Sequence, residues 1–156
     1  MRAKEIMQPL TTKWLQPEQT LYEAICAMRE ITRQESHING MVVLEHGLRL
    51  VGVVSIKDVI RAVVPSYLVE NLSEFSWEGL LEARAKKVRS ILVKEIMSTN
   101  LVTVEPDDLV IACADLLIVK QLQRLPVVEK SGKVIGMVHI RDIYRAITDL
   151  ICSQET

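Results

Sequence analysis

Apolar residues recur at helical spacing after two prolines. Leu21, Ala24, Met28 and Ile31 follow Pro17 in "PEQTLYEAICAMREI", and a similar run follows Pro106 in "PDDLVIACADLLIV". Three- and four-residue steps put such positions on one side of a helix, and a proline suits a first helical turn, where its missing N–H is not needed. Each helical run gives way to two short β-branched runs joined by a turn. These are "MVVLE" and "LVGVVS" around His46-Gly47, then "PVVE" and "VIGMVHI" around Ser131-Gly132. Such runs with a glycine-containing break predict strand pairs. A last helix is predicted to start at or just before each of Asp58 and Asp142, with Val59, Ile60 and Val63, or Ile143, Ile147 and Leu150, on its apolar side.

The order helix, strand, strand, helix therefore occurs twice, each time behind a short extended leader. "KEIM" stands at Lys4–Met7 and again at Lys94–Met97, 90 residues on. The prolines are 89 apart and the aspartates 84, so the first copy carries six extra residues, mostly around "TRQESHI". A repeat that drifts only through loops is a duplication. The pattern predicts a first copy over residues 1–64, a connecting helical segment over 65–93 and a second copy over 94–152. A unit of about sixty residues buries only about 60% of its unfolded surface, so two copies sharing a core is the expected arrangement. Pro65 stops the first copy. In the connector, Trp77, Leu81, Ala85, Val88 and Leu92 keep helical spacing, with Glu78, Glu82, Arg84, Lys86, Lys87 and Arg89 around them. This predicts a helix packed on its own domain, the alternative being a docking helix for a second subunit.

Composition narrows the function. Of 156 residues 49% are hydrophobic and 25% charged, as in a packed globule, and the net charge of −1 argues against nucleic acid as a partner. Cys26, Cys113 and Cys152 are odd in number and lack CxxC spacing, which argues against a disulfide framework or a zinc site and points to a reducing compartment. Cys26 and Cys113 fall in apolar helical runs and are expected in the core. The longest apolar run, "LVIACADLLIV", has 11 residues and contains Asp115, too short and polar for membrane insertion. "MRAKEIMQPL" has no signal-peptide core, and a cytoplasmic protein is expected.

The candidate chemistry sits where each last helix begins. Ser55 and His139 lie three residues before Asp58 and Asp142. Lys57 and Arg141 directly precede the aspartates, and Arg61 and Arg145 follow three later. A helix start favours an anion, and a carboxylate beside cations suits a ligand carrying vicinal hydroxyls and phosphate, such as a ribonucleotide. The competing explanation is a capping box, in which the serine and aspartate serve the helix alone. His139 is a poor cap, so that explanation is weaker in the second copy.

The "KEIM" leaders, "LVGVVSIKDV" and "RLPVVEKSGKVIGMVHIRDI" together resemble a tandem pair of cystathionine β-synthase (CBS) domains, a Bateman module. The resemblance implies an α/β (α+β type) fold of two β-α-β-β-α motifs packed through their sheets with pseudo-twofold symmetry. It implies up to two clefts between the motifs for an adenosine-containing ligand: AMP, ADP, ATP or S-adenosylmethionine. By the family's pattern Asp58 and Asp142 accept from ribose hydroxyls, with Ser55 and His139 near ribose and phosphate. Thr103 with Pro126 and Val127 lines adenine, and Arg124 reaches phosphates, as Lys57 and Arg141 can. The first copy departs from the pattern, with Asn39 at the place of Arg124, Met41 at that of Pro126, Trp14 at that of Thr103, and an inserted loop containing His37. The second copy is therefore expected to hold the stronger phosphate-bearing site. The resemblance also implies a homodimer.

No Walker loop, paired-histidine metal motif or G-x-S-x-G occurs, so no enzyme is expected and no cofactor is required. The leading expectation is a stand-alone regulatory module that senses an adenine nucleotide and signals to an unidentified protein target. The alternative is a ligand-free dimerisation or scaffold module of the same fold. A metal or redox sensor is a third reading.

Overall fold

The computed structural model describes residues 1–10, 13–34, 40–65 and 78–153. His37, Asn39 and Trp77 lie outside the described residues. The elements run α1 (Ala3–Ile6), β1 (Gln8–Pro9), α2 (Leu21–Gln34), β2 (Gly40–Glu45), β3 (Arg49–Ser55), α3 (Ile56–Val63), α4 (Leu80–Val88), α5 (Val93–Ile96), α6 (Val110–Val119), β4 (Arg124–Val128), β5 (Val134–His139) and α7 (Ile140–Cys152). This is the mixed α/β pattern read from the periodicities.

The chain forms two compact units, and they do not coincide with the sequence repeats. One joins Met1–Thr12 and His46–Leu50 to Val102–Thr156; the other comprises Lys13–Glu45 and Val51–Leu101. We call them the Asp142 unit and the Asp58 unit. Each takes its leader from the other copy.

In the Asp142 unit the sheet order is β1-β5-β4, antiparallel throughout. Gln8 pairs with Met137 and Pro9 with Gly136, while Arg124 pairs with His139 and Val127 with Gly136. Val104 adds a parallel bridge to Val127. Alternation along β5 buries Val134, Gly136 and Val138. Against this face α6 sets Val110, Cys113 and Leu117, and Ala3, Leu125 and Ile143 complete the core. Burial pushes the Cys113 thiol up, with the Asp108 charge adding to the effect, as for a thiol in a core.

The Asp58 unit repeats this plan. Strands β2 and β3 form a two-stranded sheet, Leu15 makes the parallel bridge to Val43, and Ser98 makes the antiparallel bridge to Val53. Leu15, Ala24, Ile31, Met41, Val43, Val54 and Val93 fill its core, so the predicted stripe of α2 faces inward.

The leaders dock identically. The amides of Ala3 and Lys4 donate to the carbonyls of Asp108 and Pro106 at 2.8 and 3.0 Å. Those of Val93 and Lys94 donate to Gln19 and Pro17 at 2.7 and 3.0 Å. In return Met1 and Ile91 accept the first helical N–H groups of α6 and α2, from Val110 and Leu21. Helix starts carry such unpaired donors, and the leaders satisfy them. Lys4 pairs with Asp107 at 2.7 Å and Lys94 with Glu18 at 3.1 Å.

The repeated glycine has its reason here. A Cβ on Gly136 would lie 2.7 Å from the Gln8 carbonyl oxygen and 2.7 Å from Met7 Sδ. A Cβ on Gly52 would lie 2.5 Å from Met97 Sδ. Each glycine thus leaves a seat for the methionine of a docked leader.

Four expectations are corrected. Pro17 and Pro106 stand four residues ahead of their helices, each as the second residue of a turn closed by Gln19 N to Gln16 O or Asp108 N to Glu105 O. The fixed φ of proline serves that turn position as well as a helix start. Cys26 is exposed, because it lies on the outer side of α2. On the final helices Ile143 is buried and Val59 packs on the core, but Ile60, Ile147 and Leu150 are exposed by 57%, 45% and 56%, so the predicted apolar sides are only partly covered among the described residues. On α4 the predicted stripe packs only in part, since Val88 is buried but Leu81 and Ala85 are exposed. Arg84 adds hydrogen bonds to the carbonyls of Val63 and Ala62 at 3.1 and 3.0 Å, holding the C-terminal end of α3.

Candidate functional site

Asp58 and Asp142 are the two buried charged residues among those described, exposed by 7% and 9%. Each is the third residue of its helix, and its carboxylate folds back on the residue before the helix. The Ser55 amide donates to Asp58 Oδ2 at 2.8 Å, and the His139 amide donates to Asp142 Oδ2 at 3.0 Å. Ser55 completes the reciprocal box: its Oγ accepts from the Asp58 amide at 3.2 Å and donates to Oδ2 at 2.9 Å. A histidine does not prevent the other half of the motif, which needs only a backbone N–H. Helix capping therefore operates at both aspartates, including the one where the sequence argued against it.

Capping occupies one oxygen of each carboxylate. The other is held by a residue that the sequence reading passed over. Gln8 Nε2 donates to Asp142 Oδ1 at 3.0 Å, and Ser98 Oγ donates to Asp58 Oδ1 at 3.1 Å. Gln8 and Ser98 each directly follow the methionine of a "KEIM" leader. The repeat marked these positions, but it did not show that each serves the aspartate of the other copy's last helix. Among the described residues Asp58 thus accepts hydrogen bonds from Ser55 N, Ser55 Oγ and Ser98 Oγ, and Asp142 from His139 N and Gln8 Nε2. A carboxylate offers about four acceptor positions, so Asp142 has room for both hydroxyls of a vicinal diol, whereas Asp58 is more nearly filled.

Arg124 opens β4 directly across from His139, which places Arg124, His139 and Asp142 in one neighbourhood. Burial pulls the Arg124 guanidinium below its usual value, so its charge is poorly solvated there. Thr103 is exposed, one residue before the Val104 bridge. Pro126 is buried, and its carbonyl already accepts from the Val104 amide at 3.0 Å. Val127 is fully buried in the core, so its side chain is withdrawn from any ligand. Arg141 and Lys57 are exposed beside their aspartates.

The register in the first copy differs by one from the sequence expectation. Leu15 N donates to Val42 O and Leu44 N to Leu15 O, just as Val104 N donates to Pro126 O and Val128 N to Val104 O. Val42 therefore stands where Pro126 does, and Gly40, not Asn39, where Arg124 does. Met41 matches Leu125 and is a core residue, exposed by 6%. Strand side chains alternate faces, so a one-residue shift exchanges core for surface. Trp14, beside the Leu15 bridge, is half-buried.

The chain is similar to known proteins along most of its length. The family model of the CBS domain matches residues 3–65 and 93–149. An uncharacterised protein of Methanopyrus kandleri is 26% identical over 139 residues, which are 89% of this chain, and the match spans 59% of that relative's length. An inosine-5′-monophosphate dehydrogenase of Korarchaeum cryptofilum is 30% identical over 128 residues, 82% of this chain but 21% of the enzyme. The solved structure of CBSX2 in complex with AMP superposes with a TM-score of 0.70 at 23% identity, covering 96% of this chain and 97% of that one. Among the described residues no helix is long and apolar enough to cross a membrane.

Proposed function

The chain belongs to the CBS-domain family, and from that premise we propose that it is a regulatory module that binds an adenine nucleotide of the AMP, ADP or ATP class at Asp142. The observation carrying this reading is the buried Asp142 carboxylate, held on both oxygens by neutral donors and retaining acceptor capacity. A charged carboxylate is a strong acceptor, and a ribose diol is a neutral ligand group that it receives well. Arg124 supports the phosphate end, because it is a half-buried cation across the strand pair from His139 and its planar guanidinium suits phosphate. Thr103 and Arg141 stand exposed and available to the ligand, with His139 between Arg124 and Asp142. The AMP in the CBSX2 complex is in keeping with this ligand class. Ser55, Lys57 and Asp58 form the weaker counterpart.

The module acts on another protein rather than on its ligand, and it pairs as a homodimer. Ile111 and Ile118 on α6 are exposed by 77% and 69%, and Tyr144 and Ile151 on α7 by 70% and 67%, an apolar area suited to an assembly face. Three free thiols fit a cytoplasmic setting.

A thermal-shift screen of AMP, ADP, ATP, S-adenosylmethionine and NAD, run with light scattering, tests the proposal. A ligand at a hundred times its Kd adds about 2.7 kcal/mol of stability, and a two-chain mass is expected. A dimer that no nucleotide stabilises would favour the ligand-free scaffold, and a monomer at micromolar concentration would remove the dimer.

A further inference from the structure

Hydrogen bonds on both oxygens fix a carboxylate's plane, whereas one bond lets it pivot. Asp142 has the His139 amide on Oδ2 and Gln8 Nε2 on Oδ1. We infer that Gln8 is a positioning residue for Asp142, orienting the carboxylate toward ribose hydroxyls, so that docking of the N-terminal leader and ribose recognition are coupled. The inference rests on the nucleotide reading above and deepens it.

Gln8 is delivered by backbone, not by a mobile surface chain. It lies on β1 opposite Met137, and the Leu10 amide donates to the Ile135 carbonyl at 3.1 Å. Its own carbonyl occupies the space that a Cβ on Gly136 would claim. The Asp58 unit makes the same contact independently, from Ser98 to Oδ1 at 3.1 Å. Amide and hydroxyl differ in length and chemistry, yet both are neutral donors delivered to the same oxygen. A purely structural leader has no need of that contact, since the paired Lys4 and the α6 cap already hold it. By linkage, whatever factor the Gln8 bond adds to ribose affinity, ribose occupancy returns to leader docking.

Calorimetry with AMP and with 2′,3′-dideoxyadenosine monophosphate tests this on the full chain. Gln8→Met keeps length and removes the donor, and because Gln8 is exposed the variant should fold. Its preference for AMP over the dideoxy analogue should fall about three- to tenfold, through weaker AMP binding alone. Gln8→Glu, which sets a like charge against Asp142, should lower AMP affinity further. AMP should also slow hydrogen exchange at the Met7 and Leu10 amides of the unsubstituted protein, and less so in Gln8→Met. An unchanged preference in Gln8→Met, with Asp142→Ala abolishing it, overturns the inference and spares the nucleotide reading. Unchanged exchange at the leader on AMP binding likewise defeats the coupling. If Asp142→Ala leaves the preference intact, or neither compound binds, the nucleotide reading itself fails.

Discussion

The Asp58 and Asp142 units are built from the same parts, yet they treat their aspartates differently. Both dock a leader through the same three backbone hydrogen bonds to the helix start, a lysine ion pair and a methionine seated on glycine. In the Asp58 unit Ser55 and Ser98 together donate three hydrogen bonds to the carboxylate, and the position of Arg124 is taken by Gly40. In the Asp142 unit two donors orient the carboxylate and a half-buried cation stands near. One duplicated frame can thus carry a self-satisfied helix cap in one copy and a carboxylate with spare acceptors in the other. Burial of an aspartate alone does not distinguish these; the donors on it among the described residues do.

The largest effect expected from breaking this comparison lies at the glycine seats. Gly136→Ala forces a Cβ against the Gln8 backbone, whereas Gly52→Ala meets only the Met97 side chain, which can swing away. Overpacking costs about 1–3 kcal/mol, so Gly136→Ala should fall near the top of that range and Gly52→Ala near the bottom. Urea denaturation measures both, and equal costs would mean that the Gln8 backbone yields as readily as a thioether.

The aspartates come next. Hydrogen bonds to a charged group are worth about 1.5–3 kcal/mol each, so Asp142→Ala should weaken nucleotide binding at least about tenfold. Asp58→Ala should cost less. Arg124→Ala should weaken AMP or ATP binding more than adenosine binding, since it removes a phosphate contact and leaves the ribose contact. Calorimetry on the three variants ranks the units, and a greater loss from Asp58→Ala would reverse the order proposed here.

The smallest effect is at the leader's ion pair. The Lys4 hydrogen bond, and then its charge, hold the Asp107 carboxyl below the usual carboxylate range. A carboxyl depressed on folding adds stability above its unfolded pKa and loses it as pH falls through the folded value. Lys4→Ala should therefore reduce stability at neutral pH slightly and flatten the acid limb below about pH 4. Both side chains are well exposed, at 53% and 78%, so salt should erase much of the difference. Melting curves against pH and salt provide the measurement, and an unaltered acid limb would count against the pair.

Much of the fold was legible because it depends on neighbours along the chain. Leu21, Ala24 and Ile31 reach the core from helical spacing, and Val134, Gly136 and Val138 from alternation. Asp58 and Asp142 stood out because a duplication repeats a helix start, and the aspartates are indeed where buried charge collects. The first copy's strand register was not legible: Asn39 and Met41 count correctly only if the inserted loop ends one residue earlier than it does. Hydrogen bonds from Leu15 settle the register, and they are contacts across the sheet.

By itself the sequence determined the periods of the elements, the duplication and the chemistry available at each helix start, all of which follow from short-range spacing. Only the tertiary structure decided which leader serves which unit. "KEIM" is the same in both copies, and Pro17-Glu18 and Pro106-Asp107 present equivalent carbonyls and carboxylates. Local chemistry is therefore satisfied about equally by a leader docking on its own copy or on the other. The spatial path of the chain makes the choice, and with it sets Gln8 on Asp142 and Ser98 on Asp58.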